Sequence, residues 1–266
     1  MAEKTLISLG PVSARVNCSS ELMPTLRDFP RCGEPTRKIL SIKVTQSQSS
    51  IPDTYETRRI LSGFMIQTPF YRGYYQPGKS EAEIELAPVD ATLETQHRRM
   101  YGALRCILSL HLTESGGAAL HGCAVRGEEG AHVFLGKTGA GKTTLAGTAT
   151  QENVLGDDLV AILPDETGQF QVFGTPFAGR EGMTSHHGRF SLNTLSLLTQ
   201  SPQTRLEAIE LSEAVRGILD HFFVFDESLQ TRSRVLKTAC RLAKSTTCFR
   251  SHVSLSTPIW DMEEMR

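Results

Sequence analysis

The sequence predicts an α/β fold for most of the chain, with a smaller β-rich unit at its N-terminus, and three features lead to this prediction. Residues 1–88 contain scattered Pro and Gly between short alternating apolar runs, which favour strands. Residues 91–112 place apolar side chains at helical spacing. From residue 118 onward, a strand, a glycine-rich turn, a helix and a returning strand follow one another. We therefore divide the chain into an N-terminal unit, 1–88, and a core, 89–266.

The composition and charge of the chain argue against several classes of function. The chain has 266 residues and a formal net charge of −1, which gives no electrostatic case for nucleic acid or an anionic membrane as partner. No signal peptide and no stretch long enough to span a membrane are evident. The six cysteines show no metal-ligand spacing, so we expect a reduced, cytoplasmic setting. The sequence does not determine the oligomeric state and is compatible with a homo-oligomer.

We expect the elements in chain order as follows. The N-terminal unit is predicted to be a small antiparallel sheet, with strand patterns at 5–16, 60–68 and 81–86. The core is predicted to begin with the long helix and then a pair of adjacent strands, 118–125 and 131–135. Farther along, apolar spacing predicts helices at 209–220 and 228–244 and a strand at 248–256.

Residues 136–143 carry the most specific chemical prediction. Their sequence, Gly-Lys-Thr-Gly-Ala-Gly-Lys-Thr, matches the Walker A pattern G-x-x-x-x-G-K-[ST] without a mismatch, between a predicted strand and a predicted helix. This arrangement gathers backbone N–H groups and a helix N-terminus around one anion, which we expect to be the β-phosphate of a nucleotide. The candidate nucleotide-binding residues are Gly136, Lys137, Thr138, Gly139, Ala140, Gly141, Lys142, Thr143 and Thr144.

Two adjacent carboxylates, Asp157 and Asp158, follow about 15 residues after Lys142, which is enough for a short helix and a return to the sheet. Most of the neighbouring apolar residues follow the pair, so we expect both aspartates at the start of a strand or in the loop before it. The sequence Gly-Asp-Asp is also typical of an ordinary turn. Beside a phosphate loop, however, such a pair supplies a ligand for Mg²⁺ and an acceptor for the proton of an attacking hydroxyl.

His121 is a candidate from the strand that precedes the loop strand. The sequence pattern alone favours a core histidine that is hydrogen-bonded to a backbone carbonyl. Its neighbour Gly122 permits a close backbone approach, and the next strand leads into the phosphate loop, so a position beside the nucleotide is the alternative.

These residues together resemble a known family. His121-Gly122, the segment 136–146, a short helix and Leu155-Gly156-Asp157-Asp158 resemble the catalytic core of HPr kinase/phosphorylase and its smaller relatives, the HPr-kinase-like serine kinases. The likeness covers about residues 120–160, with looser similarity near 173–177 and 248–260. It implies a P-loop kinase core of the HPr kinase/phosphoenolpyruvate-carboxykinase type. It also implies an enzyme that uses ATP and Mg²⁺ to phosphorylate a serine of a protein or peptide.

The resemblance further implies roles for individual residues. The loop would hold the phosphates, Lys142 would contact the β- and γ-phosphate oxygens, and His121 would lie near the γ-phosphate. Thr143 and Asp157 are the candidate metal ligands. Asp157 and Asp158 would divide metal binding and general-base duty, and the sequence leaves the division open.

The chain departs from the family at one segment. The full-length members of the family carry Glu-x-Arg-Gly-Leu-Gly after the aspartates, whereas residues 179–182 here are Gly-Arg-Glu-Gly. Whether Arg180 and Glu181 contact substrate or phosphate in its place stays open, as does the reverse phosphorylase reaction. Two other functions also remain: a nucleotide-binding sensor module without catalysis, and a small-molecule kinase.

Overall fold

The structure is a computed structural model that describes residues 2–31, 39–88, 92–177, 188–254 and 259. Contacts divide the chain into two compact units, Met1–Glu114 with Val224–Thr231, and Ser115–Phe223 with Arg232–Arg266. This boundary follows the long helix, whereas the sequence placed it at residue 88. Of the helices in the described ranges, none combines the length and apolar character needed to cross a bilayer.

The N-terminal unit is a β-sheet with one long helix. Its strands are Ala2–Ser8 (β1), Ser13–Ser19 (β2), Ile39–Gln46 (β3), Glu56–Ile60 (β4), Gly63–Gln67 (β5), Tyr71–Gln76 (β6) and Glu81–Leu86 (β7), and its helix is Leu93–Glu114 (α1). The strand order is β1-β2-β3-β7-β6-β5-β4. Helix α1 confirms the helix predicted at 91–112.

The prediction of an antiparallel sheet was wrong for two of these pairs. Strand β3 runs parallel to both β2 and β7, so the sheet is mixed. Alternating apolar residues determine which face of a strand is buried but carry no information about the direction of its neighbour. The long segments before and after β3 give the chain room for the crossovers that parallel pairing requires.

A buried ionic network holds the segment Val224–Thr231 within this unit. The carboxylate of Asp226, 2% exposed, accepts hydrogen bonds from the backbone N–H of Arg59 at 3.2 Å and the hydroxyl of Ser228 at 2.6 Å. The Arg59 guanidinium donates to Glu114 and to the hydroxyl of Thr231. Because buried charges are stable only when paired and hydrogen-bonded, this network accounts for the position of a segment so distant in sequence.

The second unit contains both parallel and antiparallel strands. The strands are Ala118–Arg126 (β8), Ala131–Leu135 (β9), Val154–Gly156 (β10), Leu159–Pro164 (β11), Phe170–Phe173 (β12), Arg189–Gln200 (β13), Arg205–Ala208 (β14) and Thr247–Val253 (β15). The helices are Lys142–Thr148 (α2), Leu211–Asp220 (α3) and Leu229–Ser245 (α4), which begins in the Val224–Thr231 segment. The strands and helices predicted here are confirmed, with boundaries shifted by up to three residues.

Strand β8 is paired along both edges. Strand β9 lies antiparallel along one edge, with Leu135 opposite Gly122. Strands β10 and β11 lie along the other, with Leu159 opposite His121. Strand β11 continues the pairing through β12 to β13, which runs parallel to β9. The pairs β8-β11-β12-β13-β9 thus close into a small barrel.

The interior of this unit includes one buried histidine. Strand β9 is buried along its whole length, and its Val133 and Leu135 belong to an apolar cluster with residues of α3 and α4. His132 in the same strand is fully buried, and its Nδ1 lies 2.8 Å from the Thr194 hydroxyl. Burial lowers the pKa of His132 to about 4, because a charged ring would lose its hydration there.

We expect the protein to lose stability in mild acid through His132. The unfolded chain binds a proton near pH 6.5 that the folded ring takes up only near pH 4, so the free energy of unfolding should fall by up to about 3 kcal/mol between those values. Urea unfolding measured from pH 7.5 to pH 4.5 tests this, and His132→Gln should have a shallower pH dependence. The control Thr194→Val removes the hydrogen bond but keeps the ring, so its pH dependence should stay steep. Equal slopes in all three proteins would contradict the account.

Candidate active site

The glycine-rich loop lies between a strand and a helix. Strand β9 ends at Leu135 and α2 begins at Lys142. Gly139 and Gly141 have φ values of 84° and 97°, a left-handed conformation that residues with a side chain rarely adopt. At Gly136, an added Cβ would lie 2.9 Å from the Cβ of Ala140. The backbone geometry therefore requires both glycines of the Walker A pattern, Gly136 and Gly141, and also Gly139 between them.

The side chain of Lys142 folds back over the start of the loop. It is 6% exposed, and its Nζ donates hydrogen bonds to the carbonyl oxygens of Gly136 at 2.7 Å and Lys137 at 3.1 Å. Burial lowers its pKa, whereas the nearby Cys123 and the Asp158 carboxylate raise it. The ammonium group is thus already located at the loop and has carbonyl partners that an anion can replace.

The apex of the loop is held by Gln200, a residue that the sequence did not indicate. Its side-chain Nε2 donates to the carbonyl oxygen of Gly139 at 2.9 Å. Gln200 is the last residue of β13, 61 positions after Gly139, and no local motif marks it. The parallel pairing of β13 with β9 brings the two together.

The aspartate pair lies in the turn between β10 and β11, where the sequence placed it. Gly122 of β8 donates its N–H to the Asp158 carbonyl at 3.2 Å, which joins the turn to β8. Thr175, fully buried, contacts both strands that flank the turn. Its N–H donates to the Leu155 carbonyl at 3.1 Å and its hydroxyl donates to the Leu159 carbonyl at 2.8 Å.

The two carboxylates differ in their surroundings. Asp157 is 3% exposed, whereas the Asp158 side chain is 18% exposed. Asp157 lies near the thiol of Cys123, which is fully buried. Burial and the Asp157 carboxylate raise the pKa of Cys123 to about 12. This thiol therefore stays protonated and is not a nucleophile.

His121 contacts Asp158 directly. Its Nδ1 lies 3.2 Å from Asp158 Oδ1, and its ring packs edge-on against Phe223, with ring centres 5.8 Å apart. Burial lowers the pKa of His121, the charge of Lys142 lowers it further, and the Asp158 carboxylate opposes both. The ring is therefore neutral near pH 7. A neutral imidazole that donates from Nδ1 to a carboxylate keeps an acceptor lone pair on Nε2.

The structure brings together the four residues predicted to be catalytic. The charges of Lys142 and Asp158 both act on His121, and Asp157 lies in the same turn as Asp158, where its charge and that of Lys142 both act on Cys123. Thr143 is partly exposed in the first turn of α2, and Lys137, Thr138 and Thr144 are exposed. Arg180 and Glu181 lie outside the described residues. Thr175 and Gln200 are the additional residues that position this site.

Comparisons with protein-family models and with curated proteins found no significant match.

Thr175→Val should loosen the aspartate turn. The change keeps the shape of the side chain but leaves the buried Leu159 carbonyl without its hydroxyl donor, at a cost of about 1–3 kcal/mol in the free energy of unfolding. Chemical denaturation measures this loss. The control Thr167→Val removes an exposed hydroxyl that bonds to Asp165, and it should change stability by less than about 0.5 kcal/mol. Similar losses in the two variants would show that Thr175 does not brace the turn.

Proposed function

We propose that this protein is a kinase that uses ATP and Mg²⁺ to phosphorylate a hydroxyl group, with serine of a protein or peptide as the acceptor. One observation carries the proposal: the Lys142 ammonium, the His121–Asp158 pair and the buried Asp157 converge where β8 meets the phosphate loop. Nucleotide binding alone needs the loop and its lysine. Phosphoryl transfer to a hydroxyl also needs a proton acceptor. A carboxylate paired with a neutral histidine beside the loop can supply one.

The donor side of the site suits a nucleoside triphosphate. The loop between Gly136 and Gly141 supplies backbone N–H groups, and Lys142 can exchange its two carbonyl partners for phosphate oxygens. These groups would bind and orient the phosphates. They would also offset the negative charge that builds up on the leaving diphosphate.

The oxygen donors present fit Mg²⁺. The Thr143 hydroxyl and the Asp157 carboxylate are hard ligands, and Mg²⁺ in kinases is held by one or two carboxylates together with substrate phosphates. Within the described ranges no group of three His, Cys, Asp or Glu side chains encloses a metal by itself. When bound, the ion would neutralise charge on the β- and γ-phosphate oxygens.

Asp158 is the better placed general base. It is more exposed than Asp157, and its contact with the neutral His121 ring orients it. As the acceptor oxygen bonds to the γ-phosphorus, the hydroxyl proton would pass to the carboxylate. The bond from the γ-phosphorus to the β–γ bridging oxygen breaks, and ADP leaves. The choice of serine as acceptor rests on the family resemblance.

We expect Asp158→Asn to abolish transfer while preserving nucleotide binding. Loss of a general base lowers kcat by about 10²–10⁴-fold, whereas the Kd for ATP should change little because Asp158 does not hold the loop. Phosphate transfer from γ-labelled ATP to peptide or protein acceptors, with calorimetry for ATP binding, measures both effects. Asp157→Asn should instead raise the Mg²⁺ concentration needed for activity.

Asp165→Asn is the matched control, because Asp165 lies in the exposed turn between β11 and β12 and should leave both quantities unchanged. Full activity of Asp158→Asn would contradict the assigned base. ATP binding without transfer to any acceptor in a cell extract would favour the sensor module, and transfer only to a metabolite would favour a small-molecule kinase.

The pH dependence of activity should reflect His121. Because burial and Lys142 lower its pKa from the ordinary value of 6.5, the ring is mostly neutral near pH 7, and kcat/KM should be half-lost only below pH 6.5. It should fall at lower pH, as protonation of the ring removes the acceptor lone pair on Nε2. The His121→Gln variant should lose this acid-side decrease, since glutamine does not titrate. A wild-type decrease centred above pH 6.5 would contradict the assignment.

A further inference from the structure

A short segment, residues 221–223, occupies the edge of β8 beside His121. Strand β9 pairs with β8 only as far as Gly122, and the chain then leaves the sheet as the phosphate loop. Farther along that edge, Phe223 donates its N–H to the Ala119 carbonyl at 2.9 Å, and the His121 N–H donates to the first carbonyl of the segment at 2.7 Å. The segment therefore continues the sheet from the point where the loop begins.

The two phenylalanines of this segment have different surroundings. Phe222 forms an antiparallel bridge with Leu120 and packs against the apolar cluster of β9, α3 and α4. Phe223 instead contacts the His121 ring edge-on, with ring centres 5.8 Å apart. Successive side chains of an extended segment point to opposite sides. One phenylalanine therefore belongs to the core and the other to the candidate active site.

The His121 ring needs a second contact to keep its orientation. The torsion that turns an imidazole about its bond to Cβ is broad and roughly two-fold, so several ring planes are accessible to a free side chain. One polar contact, 3.2 Å from Nδ1 to Asp158 Oδ1, leaves the ring able to tilt, and a flip would take Nδ1 away from the carboxylate. The Phe223 ring restricts both movements, because an edge-on aromatic contact has a preferred geometry.

We propose that Phe223 is a positioning residue that keeps Nδ1 of His121 directed at the Asp158 carboxylate. Its phenyl ring has no polar atom, so it acts on the reaction through His121, which orients Asp158 as proton acceptor. This effect on turnover rests on the proposed function. Phe223 lies outside the segments that carry the family resemblance, so the resemblance assigns it no role.

Replacing Phe223 with leucine should slow phosphate transfer without weakening nucleotide binding. The Phe223→Leu variant keeps an apolar side chain on the segment but removes the ring that holds His121. We expect kcat for transfer from γ-labelled ATP to serine-containing peptides to fall by about tenfold or more, and the Kd for Mg-ATP to stay within about twofold of wild type. Phe223→Tyr keeps an aromatic ring in place and should restore most of the wild-type kcat.

The neighbouring phenylalanine provides the matched control. Phe222→Leu makes the same change one residue earlier, on the side that packs against the core. It should lower the melting temperature at least as much as Phe223→Leu does and leave kcat unchanged. A purely structural role for Phe223 would make the two variants alike, with kcat reduced only in proportion to the loss of folded protein.

The orientation of His121 can also be measured without any acceptor. Spectra of the imidazole nitrogens, recorded by nuclear magnetic resonance on nucleotide-free protein with isotope-labelled histidine, show which ring nitrogen carries the proton, and the His121→Gln spectrum identifies the His121 signals. In the wild type we expect the proton on Nδ1, where the Asp158 carboxylate accepts it. Phe223→Leu should populate both tautomers, whereas Phe222→Leu should match the wild type.

The outcomes separate the positioning role from the kinase activity. Wild-type kcat in Phe223→Leu would overturn the positioning role and leave the proposed function intact. A lower kcat with an unchanged His121 tautomer would also overturn it, since Phe223 would then act by another route. If the wild type phosphorylates no peptide, the proposed peptide kinase fails. The spectra then decide whether Phe223 holds the ring, and an unchanged tautomer in Phe223→Leu would show that it does not.

Discussion

Backbone pairing of β8 at His121 and Gly122 is the constraint on which the site depends. At these two residues one edge of the strand meets the end of β9, where the phosphate loop begins, and the other meets the aspartate turn before β11. Gly122 is needed for this approach, because an added Cβ would lie 2.8 Å from the Phe134 carbonyl oxygen. A cationic loop and two carboxylates are thereby held on either side of one strand, with His121 between them.

The closed barrel holds the strands next to these groups in a fixed arrangement. Pairing around β8, β11, β12, β13 and β9 fixes the strand that enters the loop and the strand that follows the aspartate turn. Gln200 and Thr175 then fix the backbone conformations that the pairing leaves undetermined, through one hydrogen bond to the loop and two to the turn. Electrostatic preorganisation of this kind needs no rearrangement when charge develops during a reaction.

Short-range sequence patterns predicted the parts of the site that are formed by residues close together in the sequence. The phosphate loop, its flanking strand and helix, and the position of the aspartate pair all follow from short-range spacing. Thr175 and Gln200 were not predicted, because they act through contacts with residues far away in the sequence and occur in no motif of their own. The parallel pairing of β3 was missed for a related reason, because the alternation of apolar and polar residues along a strand carries no information about the direction of its neighbour. Likewise, nothing local indicates that Asp226 belongs with Arg59 of the N-terminal unit.

We propose that the loop, His121 and the two aspartates together form a phosphate-donor site for a protein or peptide hydroxyl. The most direct measurement supplies the purified protein with Mg²⁺ and ATP labelled with heavy oxygen in the γ-phosphate, in an extract of its native cells, and identifies labelled products by mass spectrometry. We expect labelled phosphoserine on a protein or peptide, and we expect it to be absent when Lys142→Met replaces the wild type. Label found only in inorganic phosphate or in metabolites, with no labelled protein or peptide, would contradict it.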